Sequence, residues 1–323
     1  MKKKLRSFIY LDNYKMYSIS SQLFEGLTEY IVKTESKTQK EEESQKGPIG
    51  SGRVLADIIE KNTNETEKKF LHDYSYNLFE QALIDDGRVL EISKENYEQN
   101  IKTLDNFSFV KIIGNVIFND IKEVEKSMSQ FNQTGEALGY LTYKEEYKEL
   151  ISEIENNIAD IKDRNKKSHF NNLLKNKASF KKYLQEKSLH LDEDFLKNIS
   201  YLLNYGYHQQ FEVQVPIVTE NGDLNVFSAQ LERNNLNENE NIMIKKYSRE
   251  TEREFTLFGI LTQKLTRDKK REIFDQFRNQ NDNLSMKEAI TNIVVQLGNV
   301  EHSFSGKSDN EFIVDPIALY LEI

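Results

Sequence analysis

The nearest approach to a phosphate-binding loop is Gly306-Lys307-Ser308. Such a loop needs a further glycine five positions earlier, so that the backbone curls around phosphate, and it runs from a strand into a helix. Position 301 is Glu, whose charge opposes phosphate, and the segment follows a predicted helix, so this chemistry is rejected. Asp12 with Glu35-Ser36-Lys37 has the letters of a metal-dependent nuclease centre. In a chain with 53 Asp and Glu and 44 Lys and Arg such combinations recur by chance, and Glu35 sits in a wholly polar run. Gly47-Pro-Ile-Gly-Ser-Gly-Arg53 could present backbone amides and Arg53 to an anion, although a flexible junction accounts for the same composition. The five histidines, at 72, 169, 190, 208 and 302, show no metal-ligand spacing, and cysteine is absent. A zinc set is therefore not read. His72-Asp73 has the types of a base and its orienter, but beside Leu71 and Tyr74 it reads as solvated side chains on a helix. Asp85-Asp86 and Asp192 to Asp194 fall at predicted helix ends, where capping explains them. No catalytic residue, metal or cofactor is assigned.

The elements that would have to position any site are clearer. Leu5 to Leu11 reads as a strand, and Asp12 then stands where a carboxylate can accept from the open amides of a helix's first turn. The following helix carries Met16, Ile19, Leu23 and Leu27 at three- and four-residue spacing. Tyr14, Ser18, Ser21, Gln22 and Glu25 fall opposite. Residues 33 to 46 contain no apolar side chain and predict a solvated loop. A helix is expected from Thr63 to Asp86, with a stripe of Leu71, Tyr74, Leu78 and Ala82 and a stop at Gly87. Val89 to Ile92 and Phe107 to Phe118 read as strands. Two helices follow over 140 to 187, then a helix from Asp192 to Tyr205. Gln210 to Val218 and Leu224 to Leu231 flank Asn221-Gly222, a hairpin signal in which both turn residues tolerate positive φ. Phe255 to Leu265 is a strand, Ser285 to Leu297 an amphipathic helix, and Phe312 to Ile323 a closing strand.

These elements predict an α+β fold of mixed strands and amphipathic helices with a central helical pair. The expected organisation is an amino-terminal α+β lobe over 1–135 with a charged loop at 33–50, a helical segment over 136–205, and a carboxy-terminal α+β lobe over 206–323. Residues 109 to 133 and 255 to 280 share a strand, a mid-strand glycine (Gly114, Gly259) and a charged turn into a helix. Either a decayed duplication giving two related β–α lobes or coincidence accounts for this.

Net charge is −9 with a sequence pI near 5.3, which opposes sequence-independent binding to phosphate backbones unless basic residues gather on one face. Along the chain the charge is lopsided. Residues 162 to 187 hold nine Lys and Arg against Asp163 and Glu186, while 136 to 160 is acidic. The plain expectation is an antiparallel pair whose acidic helix satisfies the lysines. The alternative is a basic surface built on Lys166, Lys167, Lys181 and Lys182. No run approaches the ~18 apolar residues of a membrane span. The basic opening is followed by an apolar stretch too short for a signal peptide. A cytoplasmic protein without membrane association is expected.

The amino terminus, Phe8-Ile-Tyr-Leu-Asp12 followed by Tyr17-Ser-Ile-Ser-Ser-Gln22-Leu-Phe-Glu-Gly26-Leu, resembles the opening of an uncharacterised bacterial family. Val110-Lys-Ile-Ile-Gly114 and the closing Val314-Asp-Pro-Ile-Ala-Leu-Tyr-Leu-Glu-Ile323 are similar to that family too. One setting of the family is the smaller component of the two-gene Dodola antiphage defence system, beside a ClpB-like AAA+ ATPase. The resemblance implies a defence role beside that ATPase as sensor, adaptor or effector; the leading expectation is a non-catalytic sensor or adaptor, with that ATPase and a phage component as partners and homo-oligomerisation left open. Asp12, Ser18, Ser21, Gln22 and Arg53 are its candidate partner- or ligand-binding residues. The rival expectations are a metal-dependent nuclease or other effector enzyme, and a nucleic-acid sensor using residues 162–187.

Overall fold

The computed structural model describes residues 5–23, 65–160, 162–177, 179–266, 268–270, 272, 285–302 and 306–323. The charged run, the glycine-rich segment with Arg53, and Glu35 lie outside them. The chain divides into two compact units, one of residues 1–119 with 211–323 and one of residues 120–210. Mixed strands and helices make it an α+β protein.

The first unit is built on seven strands: β1 (Arg6–Leu11), β2 (Val89–Ile92), β3 (Phe109–Asp120), β4 (Phe211–Val218), β5 (Leu224–Gln230), β6 (Glu250–Gln263) and β7 (Glu311–Glu322). The long strands divide their edges between several partners. β7 pairs antiparallel with β1 and β6 and parallel with β5. β3 pairs parallel with β2, antiparallel with β6, and also with β4, which pairs antiparallel with β5. The pairing therefore closes on itself as β3–β4–β5–β7–β6, with β1 and β2 attached outside the ring. Closure leaves the five ring strands without an open edge between them, and β1 and β2 form the remaining edges. Strand periodicity fills the ring: Val110, Ile112, Val116, Phe118, Phe211, Val213, Val215, Phe227, Ala229, Phe255, Leu257, Leu319 and Leu321 form one buried cluster. The two segments with mid-strand glycines lie side by side, Gly114 opposite Phe255 and Gly259 opposite Val110.

Alternate residues of β1, β6 and β7 make a second cluster with two helices, α1 (Asn13–Leu23) and α2 (Glu65–Asp85). Phe8, Phe258, Ala318 and Tyr320 meet Met16, Tyr76, Phe79 and Leu83 there. The buried side of α2 differs from the expected stripe. Tyr74 is exposed and Leu78 and Ala82 are half-buried, whereas Ser75, Tyr76, Phe79, Glu80 and Leu83 are buried. Two aromatic rings and a paired carboxylate win the inward face over smaller aliphatic groups. The helix stops as expected: Gly87 takes φ +66°, and Arg88 N donates to Leu83 O at 3.0 Å. The β4–β5 turn departs from the two-residue form. Of its Asn-Gly pair only Gly222 has positive φ, and the loop closes through Thr219 N to Asp223 O at 2.9 Å. Short α3 (Tyr97–Asn100) and 3-10 turns at Ile101–Asn106 and Arg233–Asn235 complete this unit's connections. So do α9 (Glu240–Tyr247), which the sequence reading did not foresee, and α10 (Met286–His302).

The second unit is helical: α4 (Ile121–Ser129), α5 (Phe131–Asp160), α6 (Arg164–Lys177), α7 (Phe180–Glu186) and α8 (Glu193–Tyr207). Its entry and exit meet where Ile121 N donates to Gln210 O at 3.0 Å. The second helix of the expected pair is two helices, since Ser179 is extended and begins α7. α7 runs antiparallel to α5: the Tyr147 ring meets Phe180 and Tyr183 at a tilt, with ring centroids 5.0 and 5.3 Å apart, and Tyr143 meets Tyr183 edge-on. Farther along, Gly139 lies against Leu184 and Gly135 against the Leu189 carbonyl.

Candidate functional site

Asp12 is spent on α1. Its Oδ1 accepts from Lys15 N at 2.8 Å and its backbone N donates to Ile317 O at 2.8 Å. Lys15 Nζ lies 3.2 Å from Asp12 Oδ2 and donates to Asp315 Oδ1 at 2.6 Å. Burial pulls the Lys15 ammonium down, but the two carboxylates outweigh it and hold it above its ordinary value. Asp12→Ala is expected to cost about 1 kcal/mol, the usual loss for an N-cap, read as a lower melting temperature. Unchanged stability would remove the capping role. Ser18, Ser21 and Gln22 are exposed, and Ser21 Oγ and Gln22 Nε2 both donate to the Ser18 carbonyl, at 2.8 and 3.2 Å. Helix α1 thus sets Asp12 at its buried start and the other three on its outer side, without converging them.

The lysines are distributed differently from expectation. Lys177 donates to Glu186 Oε1 at 2.6 Å and Lys181 pairs with Glu193 at 2.5 Å, so neither uses the acidic helix α5. Lys187 does, at 3.1 Å from Glu146, which also accepts from Tyr183 OH at 2.6 Å. Lys166, Lys167 and Lys182 stand exposed. Pairs between successive helices, α6 with α7 and α7 with α8, stand where a ladder of lysines to α5 was expected.

The best-built polar cluster was invisible in sequence. Glu80 is 2% exposed. Its Oε1 accepts from Tyr320 OH at 2.6 Å and Tyr76 OH at 3.3 Å, and its Oε2 pairs with Arg6 Nη2. Arg6 Nη1 donates to Asn77 Oδ1 at 2.6 Å, and its guanidinium carbon stands 4.7 Å from the Tyr320 ring centroid. Beyond it, Glu322 Oε1 lies 3.9 Å from Arg6 and 3.8 Å from Lys111, which is 3.4 Å from Glu91. Burial drives both phenols up, so they remain proton donors. With Glu80, Tyr76 and Tyr320 buried at its centre, the cluster ties α2 to β1 and β7.

A second set lies on the outward side of β4, β5 and β7. Glu212 Oε2 accepts from Asn119 Nδ2 at 3.1 Å and Gln214 Nε2 at 2.9 Å, and its Oε1 from Gln230 Nε2 at 3.2 Å. Burial pushes the Glu212 carboxyl up; Glu311 adds to this, and the Asn119 and Gln214 amides oppose it. Glu311 itself accepts from Ser308 N at 2.8 Å and from Ser228 Oγ. Gly306-Lys307-Ser308 therefore leads into strand β7 and donates to its first carboxylate, the reverse of a phosphate loop. In the helical unit, His190 is 3% exposed with no hydrogen bond at either ring nitrogen, and Glu136 Oε1 lies 3.4 Å from its Nε2. Nothing in its sequence neighbourhood marks it. Among the described residues no group of three or more His, Cys, Asp or Glu is placed to hold a metal. An open groove runs along one face of α5, lined by Lys148, Glu149, Ser152, Glu153, Asn156 and Asn157. No helix of the described residues is long and apolar enough to cross a membrane.

The architecture is thus a closed strand ring with a helical insertion, its buried charges paired within the fold. The chain belongs to the DUF6414 family, a domain of unknown function, whose family model matches residues 5–320. No curated protein and no solved structure matches it.

Proposed function

We propose that the protein is a non-catalytic sensor or adaptor of bacterial antiphage defence, acting with a ClpB-like AAA+ ATPase. The observation that carries this reading is the outward face of α8. Phe195, Tyr201, Leu202 and Tyr205 stand 42–67% exposed on one side of that helix. The Tyr201 and Tyr205 rings stack with centroids 6.3 Å apart. Exposed aromatics grouped at helical spacing are the groups that anchor protein interfaces, because they bury large area at small entropic cost. The resemblance of the amino and carboxy termini supplies the kind of partner.

The test is the double variant Tyr201→Ala/Tyr205→Ala. Its melting temperature should stay within the ~0.5 kcal/mol of an ordinary surface change, while capture of the ATPase and protection against phage are lost. Retention of both would refute this docking face. Steeply salt-sensitive DNA or RNA binding, abolished by reversing Lys166, Lys167, Lys181 and Lys182 to Glu, would move the assignment to a nucleic-acid sensor. Metal-dependent cleavage by the purified protein would move it to an effector enzyme.

A further inference from the structure

We propose that α8 closes in two registers, the longer one capped at His208 and a shorter one capped at Gly206, and that exchange between them governs how its exposed tyrosines are presented. Helices commonly stop at a residue with positive φ, which glycine adopts without steric cost. Helix α2 follows this rule at Gly87. α8 does not. Its glycine, Gly206, stays within the helix, where it weakens the turn. The left-handed conformation falls instead on His208, at φ 44°, and is repeated at Gln209, at φ 58°. There each side chain sets its Cβ against a carbonyl oxygen. Cap and glycine are two residues out of step.

Hydrogen bonds keep the longer register. His208 N donates to Asn204 O at 3.1 Å and Gln210 N to Tyr207 O at 2.9 Å. The shorter register needs only that Gly206 turn to positive φ while its amide keeps the helical bond four residues back, which is the one bond such a cap requires. Gly206 and Tyr207 then leave the helix, the Asn204 carbonyl loses the His208 amide, and the strain at His208 and Gln209 is relieved. Two hydrogen bonds are traded against two strained residues, terms of similar size, so neither register excludes the other. Tyr205 becomes the last helical residue of the shorter form. In the longer form its ring stacks on that of Tyr201, with planes 13° apart and centroids at 6.3 Å. That pairing depends on continuous helical spacing, so the shorter register loosens it and controls the docking face. This consequence rests on the docking role given to α8 above, whereas the two registers do not.

NMR relaxation dispersion of backbone amides in the purified full chain reads the exchange. Tyr207, His208 and Gln209 should share one exchange rate that residues 196–203 lack. His208→Gly relieves the longer register and should lower the minor population about tenfold. Gly206→Asn and Gly206→Thr separate a second register from simple fraying, because the two residues have similar helix propensity and only Asn tolerates left-handed backbone. The exchange should persist in the Asn variant and vanish in the Thr variant. Equal behaviour of the two, or no exchange in the wild type, would overturn the second register. His208→Thr/Gln209→Thr strains the longer form further and should make the shorter one dominant, weakening capture of the ATPase about tenfold. A protein shifted in register by dispersion that captures the ATPase as tightly as wild type would overturn the control of docking. Failure of the docking role itself is read separately, from Tyr201→Ala/Tyr205→Ala.

Discussion

Gly135→Ala should destabilise the helical unit by about 1–3 kcal/mol, the range for forcing extra volume into a filled space. The sign is the informative part, because Gly to Ala in a helix ordinarily gains up to about 1 kcal/mol. A Cβ at Gly135 would fall on the Leu189 carbonyl oxygen, which is backbone and cannot rotate aside. That backbone is itself pinned. Asn132 Oδ1 accepts from Leu191 N at 2.8 Å, and Asn132 Nδ2 donates to Leu191 O at 3.0 Å. Gly139→Ala meets only the end of the Leu184 side chain, which can adjust, and should cost less. Gly298 in α10 faces open space, so Gly298→Ala should be neutral or stabilising. Urea midpoints order the three; a Gly135 variant as stable as the Gly298 variant would refute the close approach.

The second large effect is expected at Glu80. Glu80→Ala leaves the Arg6 guanidinium buried without its carboxylate and strands two phenol donors, a loss of about 3–5 kcal/mol for one broken buried pair. Arg6→Met/Glu80→Leu should be less damaging than Glu80→Ala alone, since removing both charges also removes the desolvation penalty. Denaturant titration of the single and double variants measures this. If the double variant is the worse of the two, the cluster acts through something other than its paired charges.

Glu80 also shows where sequence reading fails. The stripe read for α2 was Leu71, Tyr74, Leu78 and Ala82, and a lone carboxylate within an amphipathic helix gives periodicity no reason to turn inward. Its partner Arg6 is 74 residues away, beyond the reach of any periodicity. Features that depend on neighbours within a few residues were legible: the caps at Asp12 and Asp192, the stop at Gly87, and the alternating strands 211–218 and 224–230. Ring closure was not, because each long strand shares its edges among partners chosen by tertiary packing. Ser21 and Gln22 had the composition of a binding helix, yet their side chains return to their own backbone. Gly135 and Gly139 carried a signal, four residues apart on one face, but small residues stand out only once the backbone they admit is known.

The separation into a continuous helical unit and a ring assembled from both sides of it bears on the order of events during synthesis. Every helix–helix contact within residues 120–210 joins segments already made once Gln210 has been added. The ring must wait, because β3 closes it with β4 and β6, both made after the helical unit, and β1 finds its antiparallel partner in β7, with Arg6 opposite Glu322. Chains dominated by such distant pairings fold slowly. The helical unit can therefore take shape on the ribosome while β1, β2 and β3 still expose the apolar faces that the later strands will cover. During that interval these three strands are the part of the nascent chain that a holdase would engage.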